Sequence, residues 1–375
     1  MGLLTGTLPD FPWDTLVPYA ERARAHPDGI VDLSVGTPVD PTPEVVQEAL
    51  AAAADAPGYP TTHGTAVLRE AVAAWFARRR GVPGLDPAAV LPTLGSKELV
   101  AWLPSLLGLG PGDVVVHPEV AYPTYDVGAR LAGATPLPAD DVAAWAGRSD
   151  VRLVWVNSPS NPTGRVLDAD ALRAVVDAAR RIGAVVASDE CYALLAWDEP
   201  WASRGVPSVL DPTVCGGDHG GLLAVHSLSK QSNVAGYRAA FVAGDGALVT
   251  RLLEIRKHAG MMVPAPVQAA MVAALDDDTH VAAQRDRYGR RRRALLAALQ
   301  DAGFVVDGSG AGLYLWTRPA GAGQGCWQTV ADLAELGILV APGSFYGPAG
   351  AGHVRIALTA SDESVARATA RLSGA

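Results

Sequence analysis

The stretch that decides the fold is SLSKQSNVAGYR, residues 227–238, which directly follows the apolar run 222–226. That run is mostly aliphatic and is bounded by polar residues, a pattern typical of a buried β-strand. A lysine just past a strand, between hydroxyl groups and turn-forming residues, stands out because most lysines are surface groups. Ligands in open α/β sheets bind outside the carboxyl ends of the strands. The spacing therefore predicts that Lys230 faces a ligand site.

Further short apolar runs predict other strands of the same sheet. They cover residues 114–117, 153–157, 185–189 and 239–243. Helical patterns lie around and between them, at residues 44–54, 66–79, 97–107, 169–182 and 247–258. Strands that alternate with helices predict an α/β fold with a largely parallel sheet.

The pattern changes after about residue 270. A long helix is predicted over 279–301, with short strands at 313–317, 338–341 and 353–358 and a closing helix at 362–372. We interpret the glycine-rich stretches 308–312 and 321–325 as turns. We therefore expect a large domain over residues 31–270 and a smaller α+β domain made of residues 1–30 and 271–375.

Composition restricts the class of protein. The chain has 375 residues, 49% of them hydrophobic and 18% charged, which is typical of a globular enzyme with two domains. The net charge of −9 argues against a nucleic-acid partner. The basic run Arg290–Arg293 lies in a helical pattern, and we interpret it as a solvated helix face.

The cellular location is also suggested by the sequence. Three scattered cysteines predict neither a disulfide framework nor a metal site. The acidic, proline-containing residues 9–14 do not resemble a signal peptide, and no window approaches the ~20 apolar residues of a membrane span. We expect a cytoplasmic protein without a membrane partner.

Two parts of the sequence are suited to binding a phosphate group. Gly95, Ser96 and Lys97 begin a predicted helix, where free N–H groups and the helix dipole favour a phosphate. Arg238 can bind the same phosphate with two hydrogen bonds, and Ser227 can donate a further one.

Asp189 ends the strand 185–189, where its carboxylate can pair with a protonated ring nitrogen, and we expect Glu190 to point to the other side. Tyr192 and Asn161, which lies in the turn-rich loop 157–164, could contact a ring hydroxyl, and Tyr122 could cover a flat ring. Taken singly, each has an ordinary structural explanation. Together they supply what pyridoxal 5′-phosphate (PLP) requires: a lysine, an anion, a phosphate cup and an aromatic clamp. Lys230 would bind the cofactor aldehyde as a Schiff base, which requires a lowered pKa of its amine.

In this order the residues resemble the fold-type I, class I and II PLP-dependent aminotransferases over nearly the whole chain. Gly36 in SVGTP, Tyr59 in GYP and Arg355 in HVRI match the family as well. The resemblance implies a large, mostly parallel, seven-stranded-type sheet domain beside a smaller α+β domain. It also implies a homodimer with shared active sites, because Tyr59 matches the tyrosine that reaches the phosphate of the neighbouring subunit.

The resemblance implies a role for each matching residue. Lys230 would be the catalytic residue, holding the cofactor and then carrying a proton. The other cofactor-binding residues would be Gly95, Ser96, Lys97, Tyr122, Asn161, Asp189, Tyr192, Ser227, Arg238 and, across the dimer, Tyr59. Gly36, Asn161 and Arg355 would bind the substrate, and Arg355 would pair with the α-carboxylate, the partner that a buried arginine needs.

Residues 229–238 are most similar to those of succinyldiaminopimelate aminotransferases, particularly the actinobacterial type, although Gln231 departs from their pattern. This similarity implies ping-pong transfer from glutamate to N-succinyl-2-amino-6-oxopimelate, a step in lysine and diaminopimelate biosynthesis. An aspartate-, alanine- or kynurenine-type aminotransferase and a PLP β-lyase on the same fold remain alternatives. A PLP-sensing transcription regulator is the third alternative, and it would require an added DNA-binding domain.

Overall fold

The structure is a computed structural model that describes residues 8–9, 11–321 and 323–374. Residues 1–7, Asp10, Ala322 and Ala375 lie outside the described residues. The expectations that fall on them concern the two ends of the small domain, the acidic N-terminal stretch and the turn at 321–325.

The chain alternates strands and helices through its first two thirds. In chain order the strands are β1 (Val31–Asp32), β2 (Val90–Leu94), β3 (Val114–His117), β4 (Thr135–Pro138), β5 (Val151–Asn157), β6 (Val185–Asp189), β7 (Leu222–Ser227), β8 (Ala239–Gly244), β9 (Phe304–Val306), β10 (Tyr314–Pro319), β11 (Ile338–Leu339), β12 (Ala341–Pro342) and β13 (Val354–Ala357). The helices are α1 (Val17–Arg24), α2 (Glu44–Ala52), α3 (Ala66–Arg79), α4 (Ser96–Leu106), α5 (Thr124–Leu131), α6 (Ala169–Ile182), α7 (Trp201–Arg204), α8 (Pro212–Cys215), α9 (Leu228–Gln231), α10 (Gly246–Ala259), α11 (Ala265–Asp276), α12 (Asp278–Asp301), α13 (Cys326–Glu335) and α14 (Asp362–Ser373).

A seven-stranded sheet forms the centre of the larger part of the molecule, in the order β2-β8-β7-β6-β5-β3-β4. Strand β8 is antiparallel to both of its neighbours, and every other pairing in this sheet is parallel. Val114 and Val116 pack into the core on one face, whereas Val115 between them packs into the core on the other. The mostly parallel, seven-stranded α/β fold expected from the sequence is confirmed.

The two edge strands of this sheet have no clear strand pattern in the sequence. Pro92 interrupts β2, and Pro136 and Pro138 interrupt β4. Proline has no N–H to donate to a strand ladder, so it is tolerated at sheet edges and weakens the strand signal there.

The smaller part of the molecule is built on an antiparallel sheet in the order β12-β13-β10-β9. Strands β1 and β11 form a separate parallel pair. The single strand predicted at 338–341 is therefore wrong, because β11 pairs with β1 whereas β12 pairs with β13. The division into domains at residues 31–270 stays a prediction. None of the helices in the described part of the chain combines the length and apolar character needed to cross a membrane.

The basic run on α12 is a solvated face only in part, since Arg290 and Arg293 are exposed as the charge pattern suggested, whereas Arg291 and Arg292 are not. Arg291 is buried and pairs with Asp40 at 2.7 Å and with Asp362 at 2.6 Å. Arg292 pairs with Asp198 at 3.0 Å. These carboxylates lie far away in the sequence, so the charge pattern of the helix alone could not reveal them.

Candidate active site

A cavity of about 470 Å³ lies at the carboxyl ends of β5, β6 and β7 and is closed on one side by β10 and β13. The structure brings eleven of the predicted site residues to its wall, namely Gly36, Ser96, Lys97, Tyr122, Asn161, Asp189, Tyr192, Ser227, Lys230, Arg238 and Arg355. A second cavity of about 510 Å³ shares Asn157 with it, but its walls are mostly apolar and contain no lysine. The titratable groups concentrate in the first cavity, which is therefore the candidate active site.

Lys230 lies in α9, a four-residue helix that begins directly after β7. The Ser227 hydroxyl caps this helix by accepting a hydrogen bond from the Ser229 N–H at 3.2 Å. The Lys230 amine lies deep in the protein but opens to the cavity, and it donates to the carbonyl oxygen of Gly36. Burial lowers the pKa of Lys230, and the nearby cations of Arg355 and Arg238 act in the same direction. A lowered pKa makes the neutral amine available as a nucleophile and a base.

Asp189 is the last residue of β6 and is buried at the cavity wall. Its carboxylate accepts hydrogen bonds from the Tyr125 hydroxyl at 2.8 Å and from the Cys191 N–H at 3.2 Å. Burial raises the pKa of Asp189, whereas these hydrogen bonds oppose the rise. The expectation that Glu190 points away from the site is confirmed, because its carboxylate is buried against Arg80 at 2.8 Å.

One corner of the cavity is suited to a phosphate group. Gly95 precedes the N-terminus of α4 with φ +79°, and a Cβ there would lie 2.1 Å from the Arg238 Nη2 atom. The guanidinium of Arg238 therefore packs against the backbone of residue 95, where any side chain larger than that of glycine would collide with it. Arg238 itself has φ +56°, a strained conformation of the kind that clusters at functional sites. The hydroxyls of Ser227 and Ser229 lie 2.8 Å apart near the same corner.

Arg355 on β13 is 3% exposed and is held by polar groups without charge. It donates to Asn161 Oδ1 at 3.0 Å and to the carbonyl oxygen of Ser34 at 2.6 Å. Its guanidinium lies 4.0 Å from the ring centroid of Tyr314. No carboxylate among the described residues pairs with it, and its Nε has no partner there either. A buried cation without an anion is costly, so a carboxylate ligand would stabilise this arrangement.

Tyr59 is separate from the cavity, and its side chain is 96% exposed. Tyr59 therefore does not line the cavity of its own chain. Its expected contact with the phosphate of a neighbouring subunit stays a prediction.

Several residues of the site were missed by sequence reasoning. Tyr125, inside α5, donates to Asp189. Tyr314, the first residue of β10, places its hydroxyl 3.1 Å from that of Tyr192. It also explains Gly36, since a Cβ there would lie 2.3 Å from the Tyr314 hydroxyl. Phe11 and Trp13 extend the wall from the N-terminal segment, and Cys191 and Ser229 also line it.

Gln231, the last residue of α9, does not line the cavity but is buried against His226. Burial lowers the pKa of His226 to about 4, so the imidazole is neutral and has one N–H. That N–H donates to the carbonyl oxygen of Glu190 at 3.0 Å, and Nε2 lies 2.8 Å from the side-chain oxygen Oε1 of Gln231. Because Nε2 of the neutral ring can only accept, we assign the Gln231 side-chain amide the opposite orientation, in which its nitrogen donates to Nε2 and is no longer without a partner. Gln231, where the sequence departs from the family pattern, thus pairs with His226 outside the cavity.

The buried neutral His226 should make the protein lose stability in mild acid. The unfolded imidazole binds a proton near pH 6.5 and the folded one only near pH 4. Between these values the unfolded state binds more protons, so the free energy of unfolding falls as the pH falls, by about 3 kcal/mol in total. Urea unfolding of the cofactor-free protein at pH 7, 5.5 and 4.5 measures this loss. A His226→Phe variant should lose correspondingly less over the same range, and an equal loss in both proteins would contradict the assignment.

The residues at the cavity fit PLP. A lysine amine with a lowered pKa, a strand-end carboxylate and a phosphate corner closed by Gly95 and Arg238 surround one space. The fold and the site together define a PLP-dependent enzyme of fold type I. The chain belongs to the class I and II aminotransferases, since the family model "Aminotransferase class I and II" matches residues 28–372. It is accordingly a PLP-dependent transaminase.

Known proteins similar to the chain share this reaction type. It is 63% identical over 372 residues to the "Probable aminotransferase Rv1178" of Mycobacterium tuberculosis, covering 99% of this chain and 87% of that protein. It is 60% identical over 365 residues to the "4-dedimethylamino-4-oxo-anhydrotetracycline transaminase OxyQ" of Streptomyces rimosus, covering 97% of this chain and 99% of that protein. A solved structure of a probable N-succinyldiaminopimelate aminotransferase from Thermus thermophilus matches with a TM-score of 0.87 and 30% identity, covering 97% of this chain and 100% of that one.

Proposed function

We propose that the chain transfers an amino group from glutamate to N-succinyl-2-amino-6-oxopimelate in a ping-pong reaction, with Lys230 as the catalytic residue. The observation that carries the proposal is the buried Arg355, which has no carboxylate partner among the described residues and shares a cavity with Lys230. A substrate whose carboxylate pairs with Arg355 would present its neighbouring Cα to the lysine amine. That arrangement suits α-amino and α-keto acids.

Each group at the cavity would act at a different atom. PLP, when bound, withdraws electrons from the substrate Cα through its pyridine ring. Lys230 Nζ would bond to the cofactor aldehyde at rest and would move the proton at the substrate Cα during transfer. The lowered pKa of Lys230 lets its amine accept that proton. Asp189, held by Tyr125 and the Cys191 N–H, would keep the pyridine nitrogen protonated.

The remaining residues would position the cofactor. Tyr192 and Asn161 would contact the phenolic oxygen, and Tyr122 would cover the ring. The phosphate would be bound by Gly95, Ser96, Ser227 and Arg238 and by the backbone N–H of Lys97, which leaves the Lys97 amine free, with Tyr59 contributed by the second subunit of a homodimer.

The proposed acceptor is supported by a cation at the mouth of the cavity. Lys97 is exposed there, with its amine 5.8 Å from the Phe11 ring centroid and 5.9 Å from that of Tyr122. No carboxylate among the described residues pairs with this amine. N-succinyl-2-amino-6-oxopimelate has two further carboxylates beyond its α-keto acid end. We propose that Lys97 pairs with one of them, in keeping with the likeness to the probable N-succinyldiaminopimelate aminotransferase structure.

A bulky aromatic ketone is a second candidate acceptor. The 60% identity to a transaminase named for an oxo-anhydrotetracycline supports it. Phe11, Trp13 and Tyr122 also line the mouth, where their rings could stack on a fused-ring ketone.

An acceptor panel tests the proposed substrate. The enzyme is loaded with the aminated cofactor, and the return of the aldehyde form is followed with succinyl-oxopimelate, pyruvate and an oxo-anhydrotetracycline. Succinyl-oxopimelate should react fastest, and Lys97→Met should raise its KM by roughly 10- to 100-fold, because a hydrogen bond to a charged group is worth about 1.5–3 kcal/mol. The KM for pyruvate, which has no distal carboxylate, should change little. A fast reaction with the tetracycline ketone alone would favour the second candidate, and no reaction with either large acceptor would refute both.

A further inference from the structure

Three side chains of α12 contact the segment that carries Lys230. His280 Nε2 lies 2.8 Å from the Ser232 hydroxyl. Gln284 Oε1 accepts a hydrogen bond from the Asn233 side-chain amide at 3.0 Å. The Tyr288 hydroxyl donates at 3.4 Å to the carbonyl oxygen of Lys230. Residues 280, 284 and 288 are each one helical turn apart and share one face of α12. We call residues 228–233 the lysine turn.

The contact at Ser232 belongs to a longer hydrogen-bonded chain. His280 Nδ1 lies 2.8 Å from the Asp277 carboxylate, which also caps α12. With that carboxylate accepting the Nδ1–H, Nε2 accepts from the Ser232 hydroxyl. The order serine, histidine, aspartate is that of a hydrolase triad. Ser232 has no exposed surface, so no substrate can reach it. These three hydrogen-bonded residues can therefore act only by holding the segment around Ser232 in place.

The lysine turn contains a strained residue that these contacts hold. Asn233 has φ +53°, a left-handed conformation that residues other than glycine adopt rarely, although asparagine does so more often than most. Its side-chain amide donates both to Gln284 and to the carbonyl oxygen of Pro41 at 3.2 Å. Strained conformations persist where the surrounding contacts over-determine them.

The same helix face also reaches the segment that touches the substrate-binding arginine. The Gln284 amide donates to Asp40 at 2.8 Å, and Asp40 follows the residues that contact the site. In that segment, the carbonyl oxygen of Gly36 accepts from Lys230, and that of Ser34 accepts from Arg355. The contacts of α12 therefore reach both the lysine turn and the segment whose carbonyl oxygens accept from Lys230 and Arg355.

We infer that His280, Gln284 and Tyr288 are positioning residues that hold the lysine turn in the conformation that directs the Lys230 amine into the cavity. This inference rests on the proposed function of Lys230. None of the three residues lines the cavity, so they act through Ser232, Asn233 and the Lys230 backbone. Their loss should slow the proton movement and leave substrate binding at Arg355 almost unchanged.

Hydrogen–deuterium exchange of the cofactor-free protein tests the inference without catalysis. In Gln284→Leu and in the milder Tyr288→Phe, amides of the lysine turn should exchange faster, by about 10-fold or more in the leucine variant, because local opening becomes easier. Amides of β7 should keep their wild-type rates. Leu295→Val is the matched control, since Leu295 is buried in the same helix, seven residues beyond Tyr288.

Steady-state kinetics of the loaded enzyme supply the second measurement. The kcat of Gln284→Leu should fall by about 10-fold or more, because small misplacements of a reacting group are costly, while the KM for glutamate changes by less than about 2-fold. Unchanged exchange in the lysine turn of both variants would overturn the inference, as would parallel changes of kcat and KM matching those of Leu295→Val. Mapping of the cofactor-bound lysine tests the proposed function separately, because the exchange experiment needs no cofactor.

Discussion

Replacing Lys230 with alanine should lower the rate of transamination by about 10⁴-fold, the upper end of what a positioned general acid and base supplies. The loss should be large because this one amine is proposed both to hold the cofactor and to move the proton at Cα. The chain contains only two other lysines, Lys97 and Lys257. Lys97 lies at the mouth of the cavity, and Lys257 is on the surface of α10 beside Glu254.

This small number of lysines makes the assignment easy to check. Borohydride reduction of the loaded enzyme followed by peptide mapping should place the cofactor on residue 230 alone. Lys257→Ala is the matched control and should retain full activity and the same labelled peptide. Circular dichroism should show that Lys230→Ala is folded. A labelled Lys97, or a visible absorbance band of lysine-bound cofactor in Lys230→Ala, would rule out the proposed role.

The central strands could be predicted from the sequence because burial on both faces turns them into short aliphatic runs. Strands β3, β6 and β7 each have a neighbour on both sides in the sheet and form such runs, bounded by polar residues and turns. The edge strands β2 and β4 could not be predicted, since their prolines are compatible with an edge but remove the apolar pattern. The local apolar pattern could not predict that residues 338–341 divide between two sheets, because that division depends on distant partner strands.

The site could be predicted where a residue lies in a short motif at the end of a strand or the start of a helix. Asp189, Lys230 and the Gly95 turn are of this kind, and the structure brings them around one cavity. Tyr125 and Tyr314 lie inside regular elements without any motif, and only the packing of distant segments places them at the site. The buried ion pair of Arg291 was misinterpreted for the same reason, because its partner Asp40 is 251 residues away.

Replacing Arg355 with lysine should lower kcat/KM for glutamate roughly 30-fold or more, since truncating one partner of a buried charge pair costs about 2 kcal/mol or more. Lysine keeps the positive charge but has no planar fork. It cannot donate at once to Asn161, to the carbonyl oxygen of Ser34 and to a substrate carboxylate. Rates of the first half-reaction, measured by stopped-flow absorbance, give this value directly.

The effect should depend on the α-carboxylate of the substrate. A primary amine of similar size that lacks this carboxylate has nothing to offer Arg355, so its slow half-reaction should proceed at nearly the same rate in the wild type and in Arg355→Lys. A variant that slowed both substrates equally would show that Arg355 only supports the fold around Asn161 and Tyr314. A loss confined to the amino acid would instead identify the buried guanidinium as the group that makes the enzyme select α-amino acids. Lys97 at the mouth would then be left to discriminate among acceptors.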